Sequence, residues 1–217
     1  MKIRTLKRVR RMSGSGFDWT MDEPELISYS IGVADLWLNR EFERKGFTTG
    51  NLLNKACGIL AEEVFNAELT QFDISHLRTL PLLDKEHPVN IGKNYDFKIE
   101  DCTIDVKAIP PFSHHKNLNV NKSEINEYGA CDLYIATKCY PELPEQNVKD
   151  KELAKAIVKQ INRIEFIGYA EADELIKPEN LKSNVKRPYY SLSMLRSMDD
   201  FALRFNIDLK QLKLSSD

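Results

Sequence analysis

Cysteine is scarce in this chain of 217 residues, and its four copies, Cys57, Cys102, Cys131 and Cys139, form no CxxC pair. That spacing argues against a structural zinc or iron–sulfur site and for reduced thiols rather than a disulfide framework. No apolar run approaches the ~18 residues of a membrane span. The first residues, MKIRTLKRVRRM, lack the apolar centre of a secretory signal. A soluble, cytoplasmic protein with no membrane partner is therefore expected. A surplus of one charge is missing as well, since 31 Lys and Arg face 33 Asp and Glu, a net −2. Coating of nucleic acid by bulk positive charge is excluded, so any polyanion binding must be local. Neither GxSxG nor HExxH occurs, and Ser13-Gly-Ser-Gly lacks the Lys-Ser/Thr of a phosphate loop and is expected to lack its preceding strand. Internal repeats and low-complexity tracts are absent.

What is present suffices for one sizeable core, at 42 % hydrophobic residues. Lys2, Arg4, Lys7, Arg8, Arg10 and Arg11 crowd the first eleven positions. We read residues 1–16 as a basic N-terminal arm, compatible with a solvated tail or with phosphate contacts. The SGSGFD run at 13–18 reads as a flexible break. Residues 17–217 then form a single domain. Apolar periodicity predicts helices over 24–44 and 50–69. A less regular segment follows at 70–94, then a strand pair at 95–109 and a loop at 110–122. A short helix ending at Gly129 precedes an apolar, centrally placed strand at 131–137. Residues 150–161 suit a helix or an excursion, 163–170 a further strand, and the tail a helix or mixed structure. The order predicts an α/β domain around a mixed sheet.

The strand pair YDFKIEDCTIDVKAI carries the chemistry. Phe97 and Ile99 alternate with Asp96 and Lys98, and Ile104 and Val106 alternate with Asp105 and Lys107. Period-two alternation gives each strand one apolar and one polar face. With Asp101-Cys102 as the loop, facing residues sum to 203, which pairs Phe97 with Val106 and Asp96 with Lys107. Asp-Cys is a weak turn pair, so a longer loop is open, and a slip of two would keep the faces. Two carboxylates on one face repel unless a cation lies between them. Hard oxygen donors suit Mg²⁺ or Mn²⁺, and the nearby ammonium suits an attacking water or a phosphoryl oxygen. Ordinary cross-strand salt bridges on a solvent-facing hairpin are the plain alternative.

Asp96 followed after eight residues by Asp105-Val106-Lys107 resembles the PD-(D/E)xK nuclease superfamily. The resemblance spans roughly residues 50–175, taking in the helix before the hairpin and the KSEINEYGACDLYIAT and EFIGYAEADEL stretches after it. It departs from the family name in two places: Tyr95 stands where Pro would, and Asp105 fills the position that is often Glu. It implies a restriction-endonuclease-like mixed β-sheet flanked by helices, with an α-β-β-β-α-β core. It further implies metal-dependent hydrolysis of phosphodiester bonds, with DNA as partner and Mg²⁺ (or Mn²⁺) held by Asp96 and Asp105. Lys107 would position or activate the water. A homodimer is compatible with such a protein. The family's helix often adds a Glu four residues after a Gly, which Gly58 and Glu62 match. At 100° per residue Glu62 lies nearly opposite the Leu53/Leu60/Val64 stripe and Glu63 about 70° off its centre. The Gly58 spacing thus favours Glu62, whereas a helix packed on the sheet turns Glu63 toward it more easily; both stay as candidates, and at most one is expected to reach the metal. A non-catalytic DNA-binding or assembly module with the same fold is the rival reading. His114, His115, Lys116 and Lys122 sit in the loop after the hairpin, as exposed positions or as phosphate contacts. Trp19 and Trp37 are expected in the core.

Overall fold

The computed structural model of the protein describes residues 5–11, 14–20, 24–45, 52–79, 95–113, 116–120, 125, 129–145, 148, 150–175 and 189–208. The chain opens with β1 (Thr5–Arg11) and β2 (Gly14–Thr20), followed by helices α1 (Pro24–Lys45) and α2 (Leu52–Gln71). Short β3 (Leu77–Arg78) and β4 (Phe97–Ile99) lead to β5 (Cys102–Ile109), then β6 (Asn117–Asn119) and β7 (Leu133–Pro141). Helix α3 (Lys151–Lys159) precedes β8 (Ile161–Glu171). One helical turn, α4 (Ala172–Leu175), β9 (Tyr189–Ser191) and α5 (Met198–Arg204) complete the described elements.

Seven strands make a mixed sheet in the order β1-β2-β8-β7-β5-β4-β3. The β5–β7 pair is parallel and the other neighbours are antiparallel. β6 and β9 form a separate two-stranded ribbon. Among the described residues, no helix is long and apolar enough to cross a membrane.

The main core lies between the sheet and the helices. Leu53, Ala56, Leu60, Val64 and Phe65 of α2 pack with Phe97, Ile104, Val106, Ile135 and Phe166 of the strands. Phe65 anchors this layer, with the Phe97 ring edge-on at 5.0 Å and the Phe201 ring of α5 at 5.8 Å. Such contacts contribute about 0.5–1.5 kcal/mol each beyond burial. Asp150 caps α3 by accepting the Leu153 N–H at 2.8 Å, so that Ala154, Ile157 and Val158 form its buried stripe. A smaller core on the opposite sheet face joins Ile109, Tyr134, Ala136 and Ile167 to Leu118 of β6 and Tyr190 of β9.

Three expectations need correction. The stretch read as a basic arm and flexible break holds two strands: β1 pairs antiparallel with β2, and β2 pairs with β8. Backbone hydrogen bonding to β8 therefore draws in a segment whose composition alone reads as a tail. The hairpin register is slipped by two, with Phe97 facing Ile104 and Ile99 facing Cys102. Glu100 and Asp101 form the turn, Glu100 at φ +52. The slip leaves the two charged residues in solvent and keeps Cys102 in the ladder, while the period of two preserves the faces. Within the segment read as irregular, Leu77 and Arg78 form an edge strand on β4.

The helix at 150–161 is α3, and the tail is mixed, as its pattern allows. His114, His115 and Lys122 lie outside the described residues, as do the side chains of Trp19 and Trp37. Of the short helix expected before Gly129, only Ile125 and Gly129 are described. Gly129, at φ +85, donates to the Ile125 carbonyl, the left-handed closure that glycine allows at a helix end.

Candidate active site

Asp105 and Lys107 alternate with Ile104 and Val106 on β5, and those two face the main core. Asp105 and Lys107 accordingly point to the other sheet face, level with Tyr134 and Ala136 of β7. Asp105 is buried, and its Oδ2 takes the Lys107 Nζ at 2.6 Å. Residues two apart on one strand face share a side, which is why this short bond forms.

Asp96 sits just before β4 and has left the ladder. Its N–H donates to the Ile104 carbonyl at 2.9 Å, and its own carbonyl accepts the Thr79 N–H. Its Oδ2 accepts the Val106 N–H at 2.7 Å. The carboxylate thus replaces a backbone acceptor and is tethered between Asp105 and Lys107 in sequence. Burial, and then the charges of Glu62 and Asp105, hold the Asp96 carboxyl well above the usual range, against the opposing pull of Lys107 and the Val106 N–H.

The two helix glutamates separate. Glu63 forms a bidentate pair with Arg78 of β3, at 2.9 and 2.5 Å. The Arg78 guanidinium also lies 5.8 Å from the centre of the Phe97 ring. Half-buried Glu62 is instead electrostatically joined to Asp96 and Asp105. Burial pushes its carboxyl up to about 7, with Arg78 opposing and Asp105 adding to the rise. Glu62 therefore shares its electrostatic surroundings with Asp96, Asp105 and Lys107, while Glu63 is committed to Arg78. That pair locks α2 against the sheet edge.

Three neighbours carried no signal in the sequence. Arg78 lies in the segment without periodicity. Cys131 lies two residues before β7; burial first, then Asp105 and Asp96, drive its thiol pKa upward. Tyr134 stands level with Asp105, and its hydroxyl accepts the Cys131 N–H at 3.0 Å. Asp132 holds the same strand ends together by accepting both the N–H and the hydroxyl of Thr103 at 2.7 Å.

The donor set is hard oxygen. Asp96 and Asp105 each commit Oδ2 to a protein donor, at Val106 and Lys107, and Asp96 and Glu62 add to the acidic field around that pair. Carboxyls whose pKa values burial and mutual repulsion raise would be drawn to the charged form by a divalent cation that keeps most of its water. Among the described residues, no three His, Cys, Asp or Glu side chains are gathered as a ready metal cage. Mg²⁺ needs no such cage, since one or two carboxylates plus a phosphate suffice. Compared with known proteins, the chain matches no family model, no curated protein and no solved structure.

Proposed function

We propose that the protein is a metal-dependent nuclease of the PD-(D/E)xK type, with a restriction-endonuclease-like fold, that hydrolyses phosphodiester bonds in DNA. The observation that carries this reading is the Asp105–Lys107 ion pair at 2.6 Å on the strand whose Val106 N–H holds the Asp96 carboxylate, with Glu62 in their electrostatic field. Asp96 and Asp105, with Glu62 beside them, are the residues that would hold Mg²⁺ or Mn²⁺. The cation would supply charge neutralisation at the phosphate and acidify a bound water.

The chain's own groups divide the remaining work. Asp105 keeps Lys107 positioned through their ion pair, and Lys107 donates hydrogen bonds to the attacking water or to a non-bridging phosphate oxygen. Asp96 is held by the Val106 N–H, so its free oxygen has a defined direction. Glu62 stands beside them as a third carboxyl, its pKa raised by burial in the metal-free protein and lowered again by a bound cation. Water attacks phosphorus, the P–O3′ bond breaks and the departing O3′ takes a proton from solvent, which by the family resemblance leaves a 5′-phosphate and a 3′-hydroxyl.

A second reading draws on the same pair. If Lys107 is the permanent counter-ion of Asp105, the protein is a non-catalytic DNA-binding or assembly module. A cleavage assay on linear, circular and single-stranded DNA with Mg²⁺, Mn²⁺ or EDTA separates the two. Metal-dependent cleavage lost in Asp105→Asn supports the nuclease. DNA binding without cleavage in either metal supports the module.

A further inference from the structure

A short path of neighbouring residues joins Glu62 on α2 to Asp96 at the sheet edge. Glu63 follows Glu62, and its carboxylate takes both terminal nitrogens of Arg78 at 2.9 and 2.5 Å. Thr79 follows Arg78 just past β3, and its N–H donates to the Asp96 carbonyl at 2.8 Å. Two non-covalent links therefore connect the backbone of Glu62 with that of Asp96. A third contact supports them. The Arg78 guanidinium lies 5.8 Å from the centre of the Phe97 ring, and Phe97 is both the ladder partner of Arg78 and the residue after Asp96.

The central link is buried, with the Glu63 and Arg78 side chains 12 and 13 % exposed. Among the described residues the Arg78 Nε has no acceptor, so Glu63 alone hydrogen-bonds the guanidinium. An ion pair of this kind adds little net stability, because desolvation offsets its Coulomb attraction. What the fork supplies is direction. Two parallel bonds between a planar guanidinium and a carboxylate set both a distance and an angle between α2 and β3. The apolar layer between helix and sheet, with Phe65 edge-on to Phe97 at 5.0 Å, is held by a force without direction. Mg²⁺ tolerates little play in its ligands, since it demands near-ideal octahedral geometry.

We infer that Arg78, gripped by Glu63, is a positioning residue for the candidate cation site. It sets Asp96 and Glu62 at the separation that one Mg²⁺ or Mn²⁺ requires, acting through Glu63 on the helix side and Thr79 on the sheet side. The inference rests on the metal site of the nuclease reading, because that reading makes the two carboxylates ligands. It also gives the two helix glutamates separate tasks. Glu62 serves the cation, and Glu63 holds the frame.

The test is calorimetric titration of the full chain with Mg²⁺ and with Mn²⁺, alongside thermal unfolding in EDTA. Arg78→Lys and Glu63→Asp both keep the local charge and lose the two-bond fork. Each should raise the cation Kd by about 10–100-fold, the usual scale for a group that orients metal ligands. The double variant should bind no worse than the weaker single one, since both changes break the same link. Asp150→Ala removes the cap of α3 and leaves the link intact, so it should lower Tm with Kd unchanged. If Arg78→Lys does not fold, Glu63→Asp decides. A folded charge-conserving variant with the parent's Kd overturns the positioning role and leaves the nuclease reading. A Kd raised equally in Asp150→Ala overturns it too, since lost stability alone would then account for the effect. DNA cleavage by the parent with Mg²⁺ is scored separately: none, beside a raised Kd in the variants, removes the nuclease and leaves the positioning role. A parent that binds neither cation removes both.

Discussion

Glu62→Gln is a direct perturbation of the acidic cluster, and its effect is expected first on stability in EDTA rather than on rate. In the folded protein the Glu62 carboxyl is held at about 7, against an ordinary value of 4.5. Between those values the folded chain keeps a proton that the unfolded chain has lost. Unfolding then releases a proton, so stability is highest at the acidic end and falls as pH rises through 7. Full desolvation would make the loss about 3 kcal/mol, at ~1.36 kcal/mol per tenfold change. Water reaching a half-buried carboxylate cuts this to about 1–2 kcal/mol. For a chain of this size that is a Tm difference of about 3–6 °C. Asp96 is shifted in the same direction, so the parent's decline should be shallower, not abolished, in Glu62→Gln. The assay is thermal unfolding by circular dichroism in EDTA from acidic to mildly alkaline pH. The variant should melt above the parent at the alkaline end and match it at the acidic end. Mg²⁺ should raise the parent's Tm, by about 2.7 kcal/mol of stability at a hundredfold excess over Kd. A parent profile flat with pH, or a variant that declines in step with the parent, would refute this account of the cluster.

Asp105→Asn should abolish Mg²⁺-dependent cleavage and metal affinity, read by calorimetry. Lys107→Ala should leave metal binding intact and slow cleavage by about 10²-fold or more; parental rates in Lys107→Ala would reduce Lys107 to a salt-bridge partner. Arg78→Ala strips Glu63 of its bidentate partner and should cost about 2–4 kcal/mol in urea unfolding. It should also drive the Glu62 carboxyl higher still, measured by carboxyl NMR titration, since Arg78 is the main charge opposing its rise. Gly168→Ala places a Cβ 2.4 Å from the Arg196 carbonyl oxygen, where the Tyr169 and Arg196 backbones exchange two hydrogen bonds. It should lower Tm by about 4–10 °C; an unchanged Tm would mean that the 195–197 segment moves away freely.

Period-two alternation made the faces of β5 legible from sequence. Any register that pairs its strand with a neighbour puts Ile104 and Val106 on one side and Asp105 and Lys107 on the other. The apolar stripe of α2 was legible for the same reason, because Leu53, Leu60 and Val64 recur at helical spacing and have one core to enter. The hairpin register was not, since slips of two are degenerate in every face-dependent term, and only the turn at Glu100 and Asp101 separates them. Helical angles favoured Glu63 and the Gly58 spacing Glu62, and the local pattern left that choice open. Arg78 decides that, from a two-residue edge strand with no periodicity of its own. The basic segment reads as a tail because its composition is that of a tail. Its strand exists through hydrogen bonds between β1, β2 and β8, and β8 begins some 140 residues further along the chain. Local pattern thus determined which side each side chain takes within its own element. Contacts between elements distant in sequence decided which of those sides meet, because pairing and charge compensation depend on partners that no local window contains.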